Sequence, residues 1–244
     1  MPSERRNRLN REEIDAKAEE VMLHFDPAAF RMHTSPLYKI VCGLKETYDV
    51  PFCFEHDLGY SRPGCKILGR FDFKPRQILI DRLLPYDSPR FRWTLSHEIG
   101  HLVLHRKLNP MLITTVTPQF VDTREQLHFI RTSKRSELEW IEWQANQFAS
   151  ALLLPRPIIH TALVTIQNQL EIRRPGSIYL DDQRHNLRDY VTILRLLAER
   201  MNVSRTMLRI RLLNLGILID ARPSRRDHIQ DALRALFSEE KISN

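Results

Sequence analysis

Cysteine is scarce in this sequence. The chain of 244 residues contains 3 cysteines, widely spaced, and none of them belongs to a Cys-x-x-Cys pair. An odd number of scattered cysteines excludes a disulfide framework and a cysteine zinc ribbon, and it suits a reducing compartment. We therefore expect a cytoplasmic protein whose cysteines serve as small apolar side chains.

Long apolar runs are also missing. No uninterrupted stretch approaches the roughly 20 residues that a membrane-spanning helix needs. The first eleven residues are basic and polar, without the apolar core of a secretory signal. We therefore expect neither a membrane anchor nor a secretory signal. Apolar residues make up 42% of the chain and charged residues 27%, which is ordinary globular composition.

Positive charge exceeds negative charge, with a formal net charge of +7. Such a field favours acidic partners, including nucleic acid, but it does not indicate a specific one. DNA binding stays open on this evidence, because a basic surface is also common without any such partner.

The first eighty residues predict helices followed by a sheet. Asn10 and Glu13 have the spacing of a capping box, which predicts a helix to about residue 25, and a second short helix is predicted over 37–48. Between 50 and 81, short apolar runs alternate with glycine and proline. We expect a small twisted sheet there, of about three strands, and hence an α+β fold.

Two longer helices are predicted in the middle of the chain. Ser88 followed by Pro89 is a good helix start, and that helix should extend to about residue 106, beneath the sheet. Ser136 is predicted to cap a second helix, which should end before Pro155. The apolar residues of this second helix recur every three or four positions and predict one buried face: Leu138, Ile141, Ala145, Phe148 and Leu152.

The polar stretch 169–186 contains Arg-Arg-Pro-Gly and predicts a linker. This divides the chain into a domain at 1–168 and a C-terminal subdomain at 187–244. The last sixty residues are predicted to be entirely helical.

The sequence His-Glu-Ile-Gly-His at 97–101 is an H-E-x-x-H motif inside the predicted helix 88–106. Residues four apart share a helix face, so the imidazoles of His97 and His101 can bind one metal ion. Glu98 lies one position round the helix, where it can accept a proton from water as a general base. The pattern is typical of a zinc-dependent peptidase.

A catalytic zinc needs a third protein ligand. Leu104 and Lys107 exclude the extended H-x-x-G-x-x-H pattern, and His105 is too far along the helix from His97 to share the ion. His105 is interpreted as a surface histidine or as one that supports the metal histidines.

The second helix supplies three candidate carboxylates for the third position: Glu137, Glu139 and Glu142. Glu139 points away from the apolar face, whereas the other two flank it. Glu142 is preferred because Asn146 lies one turn later on the same face, where its amide can hydrogen-bond the outer nitrogen of a zinc histidine. Glu137 remains an alternative.

Two stretches resemble one known family. The sequence at 92–105, Arg-Trp-Thr-Leu-Ser-His-Glu-Ile-Gly-His-Leu-Val-Leu-His, resembles the active-site helix of the ImmA/IrrE-type metallo-endopeptidases. The sequence at 142–149, Glu-Trp-Gln-Ala-Asn-Gln-Phe-Ala, followed by Leu-Leu-Leu-Pro at 152–155, resembles that family's second signature. The resemblance covers 70–155 well. The connection at 107–135 is longer than the family pattern, which could alter the cleft.

The resemblance implies a zincin-like fold, with zinc held by His97, His101 and Glu142 and with Glu98 as catalytic base. It also implies a bacterial intracellular protein substrate, often a helix-turn-helix repressor or an antitoxin, and hence a role in transcription regulation. The alternative function is a DNA- or protein-binding regulator whose zinc site is not catalytic.

The C-terminal region resembles a helix-turn-helix that often follows the peptidase part in this family. The second helix of that pair would carry Arg205, Arg209 and Arg211, which could contact a major groove. The alternative is that the helix pair packs on the peptidase core or displays a protein-binding face.

Overall fold

The computed structural model describes residues 8–31, 34–62, 65–108, 116–118, 137–173 and 175–222, with the backbone only at 61, 62, 65 and 116–118. Helix α1 spans Arg11–Phe25 and begins with the predicted capping box: the Asn10 side chain accepts from the Glu13 amide, and the Glu13 side chain accepts from the Asn10 amide. Helix α2 spans Leu37–Tyr48. Both predicted helices are confirmed.

The main sheet is small and mostly antiparallel. Its strands are β1 (Phe52–Cys53), β2 (Tyr60–Arg62), β3 (Cys65–Phe73), β4 (Arg76–Ile80) and β5 (Val116–Pro118). The order is β1-β4-β3-β2, and β5 also pairs with β3. The range 50–81 thus holds four strands rather than the predicted three, because β1 and β2 are too short to show a side-chain period.

Helix α3, Pro89–Gly100, bears the H-E-x-x-H motif and packs against β3 and β4 as predicted. Ser88 caps it, accepting from the Phe91 amide at 3.2 Å. The helix then widens into a single π-helical turn, His101–His105. Residues 92–105 therefore form one continuous helical segment beneath the sheet.

Helix α4, Glu137–Leu153, packs against both α1 and α3, and a 48° bend at Pro155 separates it from α5, Arg156–Gln169. The predicted cap Ser136 and most of the 107–135 connection lie outside the described residues. Leu138 is 54% exposed, so its predicted place on the buried face is wrong. It belongs to the first turn of α4, where the apolar face has not yet reached the core.

Across the described ranges, no single helix has both the length and the apolar character needed to span a membrane. The bent pair α4 and α5 meets those criteria only when its two helices are taken together. Most of the residues in α4 are buried within the fold, as in the core helix of a globular protein.

The C-terminal part consists of β6 (Ile178–Leu180), α6 (Arg184–Met201), α7 (Arg205–Asn214) and β7 (Leu218–Asp220). Strands β6 and β7 form a two-stranded parallel sheet. The expectation of an all-helical C-terminal region is therefore wrong, because a strand of three residues such as β7 is too short to give a periodic signal. The predicted linker 169–186 contains β6 and the start of α6, and the proposed division of the chain into domains stays a prediction.

These elements bury one continuous hydrophobic core, which includes residues of the sheet and of all seven described helices. The predicted α+β class, with a small sheet flanked by helices, is confirmed. The core places α3 between the sheet and α4, and this arrangement positions the candidate site.

Candidate metal centre

Three side chains from two helices converge at one point. The Nε2 atoms of His97 and His101 lie 3.0 Å apart. The Glu142 carboxylate lies 3.3 Å from His97 Nε2 through one oxygen and 3.5 Å from His101 Nε2 through the other. Both imidazoles are fully buried, whereas the Glu142 side chain is 31% exposed. The third group thus lies at the open side of the cluster.

The close approach of α3 and α4 brings these groups together. A Cβ atom added at Gly100 would lie only 3.2 Å from both the Cα and the carbonyl oxygen of Ala145. The absence of a side chain at Gly100 therefore lets the two helix backbones touch. This contact lies one residue before His101 and one turn from Glu142.

The donor set fits a divalent zinc ion. Two imidazole nitrogens and a carboxylate oxygen are common zinc ligands, and ligands about 2.0–2.1 Å from a tetrahedral ion are about 3.3 Å from one another. The two nitrogens lie 3.0 Å apart, and each lies 3.3 or 3.5 Å from a different oxygen of the Glu142 carboxylate, which is close to that spacing. One ligand atom from each of the three residues lies within 4.8 Å of the others. In the described part of the chain, this is the group that could hold a metal ion.

Asn146 fixes the orientation of His97. The Nδ1 atom of His97 lies 3.0 Å from Asn146 Oδ1. Because an amide oxygen only accepts, Nδ1 carries the proton and Nε2 presents its lone pair to the cluster. The structure thus places Asn146 where the sequence predicted it.

Glu98 is fully buried and packs against β3. A Cβ atom added at Gly69 would lie 2.8 Å from Glu98 Oε1 and 2.5 Å from the Thr94 methyl carbon. Gly69 therefore makes room for the carboxylate between strand and helix. Glu98 stands outside the three-ligand group but close enough for its negative charge to act on His97.

Their surroundings shift the pKa values of His97 and His101 in opposite directions. Burial by itself would lower the pKa of His97, but the hydrogen bond and charge of Glu142, together with the charge of Glu98, raise it above its ordinary value. Burial, reinforced by the charges of His97 and His105, holds the pKa of His101 well below its ordinary value. His101 is therefore neutral at physiological pH, with a nitrogen lone pair available to a metal.

The other candidate carboxylates lie elsewhere. Glu137 and Glu139 are exposed in the first turn of α4, and neither belongs to the converging group. Glu142 is the carboxylate that the fold brings to the two histidines.

Sequence reasoning left one feature of the site open and missed another. His105 is buried, with its Nδ1 atom 3.1 Å from Nδ1 of His101, so the surface alternative for this residue is wrong, and its support of the metal histidines stays a prediction. Gly69 was missed, although a glycine within an apolar strand commonly marks a close approach by another group.

The three C-terminal arginines do not form one exposed surface. Arg211 is 1% exposed and binds Asp15 and the Leu154 carbonyl oxygen, so its predicted role as a nucleic-acid contact is wrong. Arg209 forms an ion pair with Asp220 at 2.8 Å, whereas Arg205 is exposed. The apolar face of α7 turns Arg211 inward, so the alternative that the helix pair packs on the rest of the fold is confirmed.

The family relationship follows from a comparison with known families. A family model described as the IrrE N-terminal-like domain, which defines a peptidase family, matches residues 66–213, more than half of the chain. The match includes both helices of the candidate metal centre and continues through most of α7. A comparison with curated proteins found no match. The chain therefore belongs to the IrrE-like peptidase family, as a metallopeptidase with a candidate metal centre between α3 and α4.

Proposed function

We propose that this chain is a zinc-dependent endopeptidase that cleaves an intracellular protein. The observation that supports the proposal is the convergence of His97, His101 and Glu142, with a buried carboxylate, Glu98, beside them. A structural metal site needs no base of this kind, so the position of Glu98 favours hydrolysis over a purely structural role.

His97, His101 and Glu142 would hold the metal through their three inward-facing atoms. When bound, zinc would polarise water and the scissile carbonyl group. The Asn146 amide keeps the His97 proton on Nδ1, so that Nε2 stays available as a ligand.

Glu98 is the proposed general base. Its carboxylate accepts a proton from the attacking water and then delivers that proton to the leaving amine. Because Gly69 lacks a side chain, the Glu98 carboxylate can lie against strand β3, beside the two histidines.

The proposed substrate is a helix-turn-helix repressor or an antitoxin, as the family resemblance implies. Cleavage of such a protein would regulate transcription or release its target. The alternative is a regulator that binds DNA or protein through a non-catalytic zinc site. The exposed Arg205 is the one predicted nucleic-acid contact whose position still suits that alternative.

Glu98→Gln separates the two functions. Glutamine is nearly isosteric with glutamate, and residue 98 is not one of the proposed metal ligands, so zinc content and partner affinity should be retained. Loss of a positioned base is expected to reduce cleavage by about 10²–10⁴-fold. Glu137→Gln is the matched control, because it makes the same change at an exposed position in the first turn of α4.

If a repressor-like or antitoxin-like protein is encoded beside the chain's own gene, that protein is the substrate for this test. Intact substrate is followed by mass spectrometry after incubation with wild type, Glu98→Gln or Glu137→Gln. If wild type and Glu98→Gln both leave the partner uncut yet relieve its activity equally in cells, the chain is a sequestering regulator. Equal cleavage by both would mean that the base lies elsewhere.

A further inference from the structure

His105 is a buried polar residue that the proposed mechanism does not use. It is 1% exposed, at the end of the π-helical turn His101–His105. Its ring centroid lies 5.1 Å from that of His101, and the two Nδ1 atoms are 3.1 Å apart. This contact lies on the side of His101 opposite to Glu142, since Glu142 approaches Nε2.

The 3.1 Å contact contains one proton, because a hydrogen bond between two ring nitrogens needs one donor and one acceptor. His101 Nε2 faces His97 Nε2 and the Glu142 carboxylate, and it must present a lone pair there to act as a ligand. The proton of neutral His101 therefore belongs on Nδ1. It follows that His101 donates and that His105 accepts.

We infer that His105 is a positioning residue that fixes the tautomer and ring orientation of His101. This inference rests on the proposed zinc site. His105 would do for His101 what Asn146 does for His97, so each metal histidine has its own acceptor behind it. One acceptor comes from α4 and the other from the helical segment that bears the motif.

The backbone supports this assignment. The turn that carries His105 is π-helical, a rare conformation that is found often at functional sites. The turn ends in a bond from the Leu108 amide to the His105 carbonyl oxygen at 2.8 Å. His105 is therefore held at two points, its carbonyl oxygen and its Nδ1 atom.

The other ring nitrogen of His105 distinguishes positioning from packing. His105 Nε2 is buried and has no hydrogen-bond partner among the residues that the structure describes. With Nδ1 accepting, Nε2 carries the proton, and a buried unpaired N–H costs stability. A purely structural role would favour an apolar ring at this position, so the imidazole serves His101 rather than the core.

The test measures zinc affinity by competition with a chromophoric chelator, alongside the melting temperature of the metal-free protein. His105→Phe keeps a ring and removes the acceptor; we expect zinc affinity to fall by about 10–100-fold, with an unchanged or higher melting temperature. His105→Asn retains an acceptor near the position of Nδ1 and should recover most of that affinity. His160→Phe, at an exposed histidine, is the control.

The outcomes are distinct. Absence of zinc binding in the wild type would overturn the proposed function and this inference together. Equal affinity in wild type and His105→Phe, or an equal loss in His105→Phe and His105→Asn, would overturn the inference alone. Nitrogen-15 NMR of the wild type adds a test that needs no variant: a proton on His101 Nε2, or on His105 Nδ1, would overturn it.

Discussion

Arg211 of α7 and Asp15 of α1 form an ion pair, with Nη1 and a carboxylate oxygen 2.9 Å apart. The Nε atom of the same guanidinium donates to the Leu154 carbonyl oxygen, after the end of α4, at 3.1 Å. The buried Arg211 side chain therefore connects α7 with α1 and with the residue that follows α4, the helix that carries Glu142.

Arg211→Met should destabilise the protein by about 3 kcal/mol, because the Asp15 carboxylate and the Leu154 carbonyl group lose their partner. Urea denaturation followed by circular dichroism measures the change. Arg205→Met, at an exposed arginine of the same helix, is the matched control and should cost little. Similar free energies of unfolding for the two variants would contradict the structural role of Arg211.

Removal of the C-terminal region tests the predicted division at residue 168. Besides Arg211, Asn202 donates to the Asp87 carbonyl oxygen at 2.7 Å, next to the Ser88 cap of α3. A chain that ends at 168 loses both contacts, so we expect lower solubility and weaker zinc retention than in the full chain. A soluble, fully zinc-loaded fragment would instead support a separate domain at 1–168.

The ligand set predicts the zinc content of single variants. Wild type should retain about one zinc per chain, and His97→Ala, His101→Ala and Glu142→Ala should each lose most of it, because three protein ligands are needed. Glu137→Ala should match the wild type. Elemental analysis of purified protein is the measurement. Full zinc content in Glu142→Ala, with loss in Glu137→Ala, would transfer the third ligand to Glu137.

Gly69→Ala should impair hydrolysis while zinc is retained. The new methyl group would lie 2.8 Å from Glu98 Oε1, and the flexible end of that side chain would move aside. A displacement of about 1 Å in a catalytic group can cost about 10²-fold in rate. Cleavage kinetics and zinc content are measured together.

The methyl group at residue 69 would also meet the Thr94 methyl carbon, at 2.5 Å. Adding Thr94→Ser to Gly69→Ala removes that second overlap, so it should recover stability without recovering activity. Full activity in Gly69→Ala would show that Glu98 does not depend on this gap.

The contacts of the Asp81 carboxylate predict that the folded protein loses stability in acid. Its buried carboxylate accepts from the Leu58 and Leu83 amides at 2.8 and 3.0 Å and pairs with Lys66. Burial would raise the pKa of Asp81, but these contacts outweigh it and lower the pKa. The carboxylate therefore contributes stability above its unfolded pKa of about 3.9, and this contribution is lost as the pH falls through the folded value.

The measurement is urea denaturation of wild type and Asp81→Asn between neutral pH and the acid transition. Asn cannot ionise, so the variant should be less stable at neutral pH and its stability should fall less steeply in acid. Parallel pH profiles for the two proteins would show that Asp81 does not drive the acid transition.

Local chemistry made much of the fold predictable. The capping box at Asn10 and the serine–proline start at Ser88 define helix starts by hydrogen bonds to nearby amides, so neighbouring residues suffice to find them. The pair His97 and His101 was predictable for the same reason, since four residues of helix fix their relation. Asn146 was predictable because it lies one turn from Glu142.

The features that could not be predicted from the sequence depend on tertiary contacts. Arg211 lies on the apolar face of α7, and its sequence neighbours do not show that its partner is Asp15, 196 residues earlier. Leu138 fits the apolar spacing of α4 but lies before the helix reaches the core. The π-helical turn His101–His105 was also not predicted, because no residue pattern within 101–105 indicates it.

The contact at Gly100 also changes the meaning of the H-E-x-x-H motif in this chain. Written as a pattern, the motif leaves its fourth position to any residue. Here a single added carbon at that position would press on the backbone of Ala145 and on the Phe148 ring, at 3.2 and 3.3 Å. The neighbouring helix, rather than the chemistry of the metal, therefore restricts which residue can occupy this position. A sequence search that treats the position as variable ignores the residue that sets the spacing of the two ligand-bearing helices.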